Sequence, residues 1–598
     1  MPLSKNPSRL LVQRWRQLCA APEGLRPIRV GVAASYTVEP LLPFLGCALA
    51  DRGLFAQFLV APYNQIYQSL LDPGSELRRE RLDVAVVLPR LEELIAPSLR
   101  GMTTLDPAEV GAAQATARAE IDRLLAALGE FGQAAQCPTV CGNFEPASST
   151  PLGVLDATHA ASDSGLRTVL NQQLAAGVRA QRGLVFDVAA LVAEVGTRQA
   201  FDPRMFYVSR HPYSTGCGRA LMAGLARLVA PLFIAPAKVI VLDLDNTLWG
   251  GVVGEDGPTG VALGESGVGA AFVDFQDALL AYRRQGVLLC IASKNNEVDA
   301  WEVIDHHPAM RLRRDHFAAW RINWNRKSDS LRELAEELSL GVDSFVFLDD
   351  SGMECDEMRR MLPQVTVVHL PEDVAQYVAC LRAIPALDRV VLTDEDRQRA
   401  EQYRVARQRN EAEAAAGSDP EKLAEYLRTL ELSVFVRRPT PADVPRVAQL
   451  TQKTNQFNVT TIRRTEAEIN ALLNDEHWLV YAIDVRDRFG DYGLVGVMLV
   501  VERGGGEAEI DTLLLSCRVL GRGVETVLLG HLIEDLGRRG GRRLRGRFVP
   551  TKKNTPAKDF FAAHGFSDSG DGVWLLDPLR EGAFLPPHIE RRSTVDPR

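Results

Sequence analysis

The chain has 598 residues, enough for roughly three to five domains of about 150 residues each. Its 68 lysines and arginines against 77 aspartates and glutamates give a formal net charge of −9, which argues against a protein that binds nucleic acid over its whole surface. A hydrophobic content of 46% excludes a disordered chain, no apolar stretch approaches the roughly eighteen residues of a membrane span, and nine scattered cysteines favour the reducing cytoplasm.

The first part of the chain alternates short apolar runs with helical patterns. A long helical pattern covers 107–132. Buried strands are predicted at 28–35, 56–62, 82–89 and 138–144. Strands that alternate with helices predict a parallel sheet with both faces covered, so we predict an α/β domain over residues 1–235.

A second α/β domain is predicted over residues 236–385. It begins with a buried strand that runs from Lys238 into acidic residues. Two further apolar runs, 288–295 and 344–350, also end in polar residues. Helical stretches separate these strands, at 274–285 and 328–338.

The remaining chain divides into a connector, a third domain and a tail. A helical connector is predicted over residues 386–428, because residues 393–428 are highly charged with few large apolar residues. The third domain, 429–585, is predicted to be an α+β domain with a helix at 523–538. Its strands are predicted near 431–437, 478–484, 493–502 and 509–515. Residues 586–598 are predicted to be a tail, and the whole chain is predicted to be a multidomain α/β protein.

Two carboxylates mark the first strand of the second domain. Asp243 and Asp245 stand two apart at its carboxyl end, the edge where parallel sheets bind their ligands. One carboxylate can attack phosphorus while the other protonates the leaving group and later deprotonates water. Because facing carboxylates repel each other, a Mg²⁺ ion is expected between them.

The later strand ends supply the other groups that phosphoryl transfer needs. Ser293 can hydrogen-bond a phosphoryl oxygen, and Lys327 can neutralise phosphate charge. Asp349 and Asp350 end the third apolar run and can hold Mg²⁺. Each residue alone is more often a surface or capping residue, so it is their order along successive strand ends that indicates a phosphate site.

This pattern resembles the haloacid-dehalogenase (HAD) superfamily of phosphohydrolases, with a Rossmann-like sheet. The resemblance implies that Asp243 is the nucleophile and Asp245 the general acid and base. It implies that phosphate is positioned by Thr247, Ser293 and Lys327. The implied Mg²⁺ ligands are Asp243, the backbone carbonyl of Asp245, and Asp349 or Asp350. The short stretch between Asp245 and Ser293 leaves little room for a cap, so the open site suits a phosphate carried on something large or closure by another domain.

Longer strings are similar to the FkbH-like family of polyketide assembly lines. They include LDLDNTLWGGVVGEDG, SKNNE, FVFLDD, TNQFNVTT and LLLSCRVLGRGVE. The resemblance implies a bacterial cytoplasmic enzyme that loads a three-carbon glyceryl unit from 1,3-bisphosphoglycerate onto an acyl carrier protein, removing phosphate, for extender units or tetronates in antibiotic biosynthesis. Relatives usually read DDNPxER where this chain reads DDSGMEC, so Ser351, Gly352 and Cys355 depart from the pattern.

The third domain carries a glycine-rich loop between a strand and a helix. Arg518, Gly521 and Gly523 form RxxGxG, in which glycines allow close approach of a pyrophosphate to the helix N-terminus. In this context the pattern resembles the acyl-CoA N-acyltransferase (GNAT) fold, which implies binding of the carrier protein's phosphopantetheine. GNAT enzymes usually offer a tyrosine as general acid where this chain has Phe560 and Phe561. This difference disfavours acetyl transfer to an amine and leaves room for transfer to a thiol.

Other residues of the third domain remain open to two interpretations. Cys517 precedes the glycine-rich loop and could carry a glyceryl thioester, or it could be a buried core cysteine. A substrate's hydroxyl groups could be bound by Asn455, Gln456 and Asn458, or these residues could form a polar loop. The basic run 538–553 could be a solvated face or could steer an acidic carrier protein. Neither a nucleic acid nor a membrane is predicted as a partner.

The first domain resembles the SGNH-hydrolase-like module of longer homologues. Ser35, Asn143 and His211 are the residue types that such hydrolases use, but neither a GDS motif nor a DxxH motif surrounds them. A docking or substrate-shaping role is therefore predicted for this domain. Two alternatives to glyceryl loading remain, a plain Mg²⁺-dependent phosphohydrolase of a small substrate and a non-catalytic docking protein.

Overall fold

The computed structural model describes residues 7–95, 106–392, 396, 403, 425, 427–454, 457–488, 490–516, 519–551, 554–579 and 585–593. The chain forms two compact units, Met1–Pro236 with Ala383–Leu392, and Ala237–Arg382 with Thr393–Arg598. The first unit contains one sheet, and the second contains two. Within the described residues, no helix combines the length and the hydropathy needed to cross a bilayer.

The first unit is built on a five-stranded parallel sheet in the order β2-β1-β3-β4-β5. Its strands are β1 Arg26–Ala34, β2 Leu54–Val60, β3 Val84–Leu88, β4 Thr139–Gly142 and β5 Leu184–Phe186. Its helices are α1 Pro7–Ala20, α2 Leu42–Ala50, α3 Ile66–Leu71, α4 Glu76–Arg79, α5 Leu91–Leu94, α6 Pro107–Ala135, α7 Asp163–Ala180, α8 Val188–Val195, α9 Thr197–Ala200, α10 Pro203–Ser209 and α11 Thr215–Val229. Neighbouring residues of β1 enter separate cores, Val32 on one face and Ala33 on the other, which confirms the prediction of a sheet covered on both faces.

The second sheet is also parallel, in the order β10-β9-β6-β7-β8. Its strands are β6 Val239–Leu242, β7 Leu288–Ser293, β8 Phe317–Ile322, β9 Phe345–Asp349 and β10 Thr366–His369. Its helices are α12 Val253–Asp256, α13 Gly267–Arg284, α14 Glu297–His306, α15 Lys327–Glu337, α16 Gly352–Met361 and α17 Tyr377–Arg382. Because β6 lies at the centre and all strands run one way, the ends of β6, β7 and β9 meet at one edge.

The third sheet is mixed, in the order β17-β18-β16-β15-β14-β13-β11-β19, with β12 paired to β15. Its strands are β11 Leu432–Arg437, β12 Phe457–Asn458, β13 Trp478–Asp487, β14 Gly490–Gly504, β15 Glu507–Leu515, β16 Arg543–Arg547, β17 Ser567–Asp568, β18 Val573–Leu576 and β19 Ile589–Ser593. Its helices are α18 Val444–Lys453, α19 Glu466–Leu473, α20 Val524–Arg538 and α21 Phe560–Ala563. The long α20 matches the helix predicted at 523–538, and it joins β15 to β16, a parallel strand that the sequence pattern did not predict.

A short segment fills the seam where β15 and β16 separate. The two strands pair only from Glu507 to Ile510 on β15. Beyond that point β12 pairs with the end of β15, the Val459 amide donates to the Leu513 carbonyl at 3.1 Å, and the Val549 amide donates to the Val459 carbonyl at 2.8 Å. The chain itself therefore closes the opening between the two strands.

Two predicted boundaries need correction. In the predicted tail, 586–598, residues Ile589–Ser593 form β19, which pairs in parallel with β11 and buries the Ile589 side chain. In the predicted connector, 386–428, Asp388 belongs to the first unit, where it accepts hydrogen bonds from Arg227 at 2.8 and 2.6 Å. Most of the connector lies outside the described residues.

Candidate active site

The loop after β6 is fixed by its own polar groups. The four residues of β6 are fully buried, and the Asp243 amide still donates to the Leu348 carbonyl of β9 at 3.2 Å. The chain then turns at Asn246, which has a φ of 53° in the left-handed region. The Asn246 side chain accepts a hydrogen bond from the Gly251 amide at 3.0 Å, and the Tyr377 hydroxyl donates to the Asn246 carbonyl at 2.8 Å. Asp243 is therefore presented on a well-anchored loop.

Lys327 joins two of the predicted acidic residues. Its Nζ lies 2.7 Å from Asp243 Oδ2 and 2.6 Å from Asp349 Oδ2, and the residue is only 4% exposed. Burial alone would lower the pKa of Lys327, but attraction to the two carboxylates outweighs burial and raises it well above its usual range. The site therefore keeps a permanent cation beside Asp243.

Three carboxylates converge next to this cation. Asp243, Asp349 and Asp350 each offer an oxygen, and these atoms lie within 4.8 Å of one another. Burial and the charge of Asp243 raise the pKa of Asp349 to about 7, although Lys327 opposes the shift, and the same two causes raise the pKa of Asp350. Such crowding is relieved by a bound cation.

The carboxylate oxygens of this cluster are suitable ligands for a magnesium ion. Asp243 Oδ1 is buried and has no hydrogen-bond partner among the described residues, while its Oδ2 contacts Lys327. Asp349 Oδ1 accepts a hydrogen bond from the Ser351 amide at 2.8 Å, which orients that carboxylate. Mg²⁺ prefers oxygen ligands of this kind.

Asp245 is oriented by three hydrogen-bond donors. Trp249 Nε1 and the Val253 amide donate to its Oδ1 at 2.8 and 3.1 Å, and Asn295 Nδ2 donates to its Oδ2 at 2.9 Å. Trp249 is fully buried, and Asn295 nearly so. Sequence reasoning did not assign either residue a role, although Asn295 follows the predicted Ser293 by only two positions. Both are positioning residues for Asp245.

The predicted phosphate-binding hydroxyls lie at the same edge. Thr247 is fully buried, and its Oγ1 has no hydrogen-bond partner among the described residues. Ser293 ends β7, is 4% exposed, and accepts the Asn323 amide at its carbonyl at 3.0 Å. An unsatisfied buried hydroxyl can donate to an anionic oxygen.

The unusual residues after β9 pack the loop that carries the acidic pair. Ser351 caps α16 by accepting a hydrogen bond from the Glu354 amide. Cys355 is fully buried, and its Sγ lies 3.7 Å from the Asp349 carbonyl and 3.8 Å from the Val368 carbonyl. Burial raises the pKa of Cys355 to about 12, so the thiol stays protonated. This cysteine is a packing residue that supports the end of β9.

The first domain does not bring its candidate hydrolase residues into contact. Ser35 Oγ accepts a hydrogen bond from the Arg90 amide at 2.8 Å, and His211 Nδ1 lies 3.0 Å from the Thr37 carbonyl. Asn143 Oδ1 accepts a hydrogen bond from the Ala189 amide in the first turn of α8 at 2.9 Å, and its Nδ2 donates to the helix-capping Asp187 at 2.8 Å. Each side chain is used in local structure, in agreement with the missing hydrolase motifs.

In the third domain, the structure describes only some of the predicted residues. Asn455, Gln456, Cys517 and Arg518 lie outside the described residues. Asn458 is fully buried in the filled seam, where its amide donates to the Thr454 carbonyl at 3.2 Å and accepts from the Thr461 amide at 2.8 Å. Its side chain therefore stabilises the segment, which favours the polar-loop interpretation of Asn458 over a substrate contact.

The two loop glycines differ in their surroundings. Both have positive φ, 74° at Gly521 and 82° at Gly523, as tight turns require. Space around Gly521 is open, whereas a Cβ on Gly523 would lie 2.9 Å from Pro586 Cγ. His588 Nε2 also lies 2.9 Å from the Arg522 carbonyl, so the segment before β19 covers one side of the loop. Phe560 and Phe561, at the position of the expected tyrosine, are buried core residues.

Comparison with solved structures includes an extended similarity to a phosphatase domain. The chain is similar to the N-terminal part of the protein BF1531 from Bacteroides fragilis, which contains a phosphatase domain complexed with Mg, at 25% identity and a TM-score of 0.56. That similarity covers 64% of this chain and 98% of the other. The chain therefore contains a phosphatase-like domain within a multidomain α/β fold, which confirms the predicted fold class.

Two smaller similarities involve acetyltransferases. The ribosomal-protein-S18-alanine N-acetyltransferase from Escherichia coli has 16% identity and a TM-score of 0.20, covering 26% of this chain and 99% of its own. An acetyltransferase from Thermus thermophilus has 20% identity and a TM-score of 0.19, covering 25% and 99%. No protein-family model matches the chain, and neither does any curated protein.

Proposed function

We propose that the second domain is a Mg²⁺-dependent phosphatase that works through an aspartyl-phosphate, and that the whole chain uses it to load a glyceryl unit from 1,3-bisphosphoglycerate onto an acyl carrier protein. The phosphatase proposal rests on one observation. The Lys327 ammonium lies between Asp243 and Asp349, and the second carboxylate oxygen of Asp243 has no hydrogen-bond partner among the described residues. The Mg-bound phosphatase domain of the similar Bacteroides protein supports the same chemistry.

The residues of this edge can carry both halves of the reaction. A carboxylate oxygen of Asp243 attacks phosphorus, the bond to the leaving oxygen breaks, and a proton from Asp245 or solvent neutralises that oxygen. Lys327 offsets the phosphate charge, and the free Thr247 hydroxyl donates to a phosphoryl oxygen. Asp245 then takes a proton from water, whose oxygen attacks the aspartyl-phosphate, releasing phosphate and restoring Asp243.

A magnesium ion would complete the charge balance of this site. Its ligands would be Asp243, Asp349 and Asp350, and when bound it would neutralise the charge of the transferring phosphoryl group. Asn295 and Trp249 keep Asp245 oriented for its proton transfers.

The absence of an inserted cap between β6 and β7 supports a substrate carried on a larger molecule. Between β6 and β7, residues 243–287 are all described, and they hold only the short α12 and the packed helix α13. No inserted sheet covers the carboxyl edge of these strands in that stretch. The family strings in the second and third domains point to a carrier protein whose phosphopantetheine thiol accepts the glyceryl group.

A plain phosphohydrolase of a small substrate is the second candidate. The observation that favours it is the filled seam between β15 and β16, where the chain's own segment 457–459 occupies the space that an extended acyl arm would need to pair with β15. In that case the third domain takes no part in acyl transfer.

Intact-protein mass spectrometry separates these candidates. The full chain is incubated with Mg²⁺, 1,3-bisphosphoglycerate and phosphopantetheinylated carrier proteins, and free phosphate is measured in parallel. We expect a carrier that gains one glyceryl group with release of two phosphates, one as the leaving group when the carrier thiol attacks the acyl phosphate and one hydrolysed from C3. Asp243→Asn should abolish only the second release, so that the carrier gains a phosphoglyceryl group, while the exposed control Asp274→Asn should behave as wild type. Phosphate release without any carrier mass change would overturn glyceryl loading and leave the plain phosphohydrolase. Full function in Asp243→Asn would leave only a docking protein.

A further inference from the structure

A run of arginines in the third domain extends from the end of α20 through β16. Residues 538–547 contain six arginines and no acidic residue. Residues along β16 alternate between exposed and buried, so Arg543, Arg545 and Arg547 share the exposed face while Leu544 is buried in the core. Within an acidic chain, this run concentrates cations on one surface.

The carboxylates near β16 already form ion pairs or hydrogen bonds with Arg543 and Arg503. Arg543 forms ion pairs with Glu507 at 2.8 Å and with Asp577 at 2.7 Å. Glu509 lies beside Arg545 in the strand register, but it accepts its hydrogen bonds from Arg503. The local acidic groups therefore leave other cations on this surface uncompensated.

Three arginines of this run have no carboxylate partner among the described residues. Arg542, Arg545 and Arg547 are exposed and make no side-chain hydrogen bond or ion pair within the described part of the chain. The residues opposite the last two, on β18, are the half-buried Leu575 and Val573. We call Arg542, Arg545, Arg547, Val573 and Leu575 the arginine face. These residues combine unpaired positive charge with accessible apolar surface.

We propose that the arginine face is the docking surface for an acidic carrier protein, the acceptor in the proposed function, on which this inference rests. Free guanidinium groups attract carboxylates in bidentate pairs, and the intervening apolar side chains suit an amphipathic acidic helix. A nucleic acid is the less suitable occupant, because the chain is acidic overall and apolar residues interrupt the cations of this face.

Charge reversal of two exposed arginines tests this proposal in the full chain. The test variant is Arg545→Glu with Arg547→Glu. The matched control is Arg204→Glu with Arg219→Glu, two exposed arginines of the first unit that likewise form no side-chain hydrogen bond or ion pair with any described residue. Carrier binding is titrated at low and high salt, and phosphatase turnover of p-nitrophenyl phosphate reports the integrity of the second domain.

We expect the test variant to bind the carrier at least about tenfold more weakly at low salt, with the difference shrinking as salt screens the charges. The control variant and the turnover of p-nitrophenyl phosphate should stay at wild-type values. A carrier with acidic residues changed to lysine should recover binding to the test variant. Unchanged carrier affinity in the test variant, or loss of oligonucleotide binding without loss of carrier binding, would overturn the proposal.

Failure of the docking surface can be distinguished from failure of the proposed function. If wild-type protein loads the carrier and the test variant loads it with the same KM, the docking surface is wrong and the function stands. If wild-type protein binds the carrier through these arginines but transfers no glyceryl group, the docking surface stands and the loading activity is wrong.

Discussion

Replacing Lys327 with methionine removes the only cation that contacts both Asp243 and Asp349 among the described residues. Methionine keeps most of the buried side-chain volume, so the change is mainly one of charge. The two carboxylates then face each other beside Asp350, with their oxygens within 4.8 Å. The variant therefore measures how strongly this cation stabilises the edge of the second sheet.

The expected magnitude follows from the two contact distances. At an effective dielectric constant of about 20, charges about 2.7 Å apart attract by about 6 kcal/mol, most of which offsets the cost of burying them. Breaking a buried ion pair from one side typically costs about 3–5 kcal/mol. We expect Lys327→Met to lower the free energy of opening of β6 and β9 by that amount in metal-free protein, and added Mg²⁺ to recover part of it.

Native-state hydrogen exchange of peptides from β6 and β9 measures this free energy in the full chain. The matched control is Lys294→Met, because Lys294 contacts Glu354 at the same 2.7 Å but has a side chain that is 35% exposed. Because Lys294 stays partly solvated, this partly buried pair is expected to contribute less than the Lys327 contacts, about 1 kcal/mol. Equal losses of protection in the two variants would refute the reasoning, as would a Lys327→Met protein that Mg²⁺ leaves unchanged.

Further predictions concern the positioning residues, the cysteines and the glycine-rich loop. Asn295→Leu removes a hydrogen bond to a charged group worth about 1.5–3 kcal/mol, so kcat should fall about 10- to 100-fold and single-turnover assays should show aspartyl-phosphate accumulating; wild-type kcat would contradict this role. At pH 8, iodoacetamide should label the exposed Cys19 long before Cys355, whose pKa of about 12 leaves almost no thiolate; equal labelling rates in a mass-spectrometric time course would contradict the burial. Gly523→Ala should lower Tm more than Gly521→Ala, because both residues have positive φ but only the former would place a Cβ 2.9 Å from a proline; equal shifts would contradict the packing.

Continuous apolar runs made the central strands of the parallel sheets predictable. The run before Asp243 is buried on both faces, and such strands are recognisable without knowledge of their partners. By contrast, β16 is rich in arginine, and β19 is a short charged segment. Each becomes a strand only because it pairs with a neighbour that is distant in sequence, which a local pattern does not reveal.

Some residues of the candidate site were also predictable from the sequence, and others were not. The acidic and polar strand ends were predictable because parallel strands end at one edge, and the structure brings Asp243, Lys327 and Asp349 into direct contact. The contacts of Trp249 and Asn295 with the second aspartate depend on the left-handed turn after β6 and on the path of the loop after β7. Such geometry is set by tertiary packing and leaves little trace in residue spacing.

The pairing of β11 with β19 joins the beginning and the end of the third domain's fold. Leu432 lies beside Ile589, a contact between residues far apart in the chain, and contacts of this range slow folding because a long loop must close first. A fragment cut at residue 585 would leave the backbone of β11 as an open edge, which invites aggregation. A separately expressed fragment of the third domain should therefore extend through residue 593.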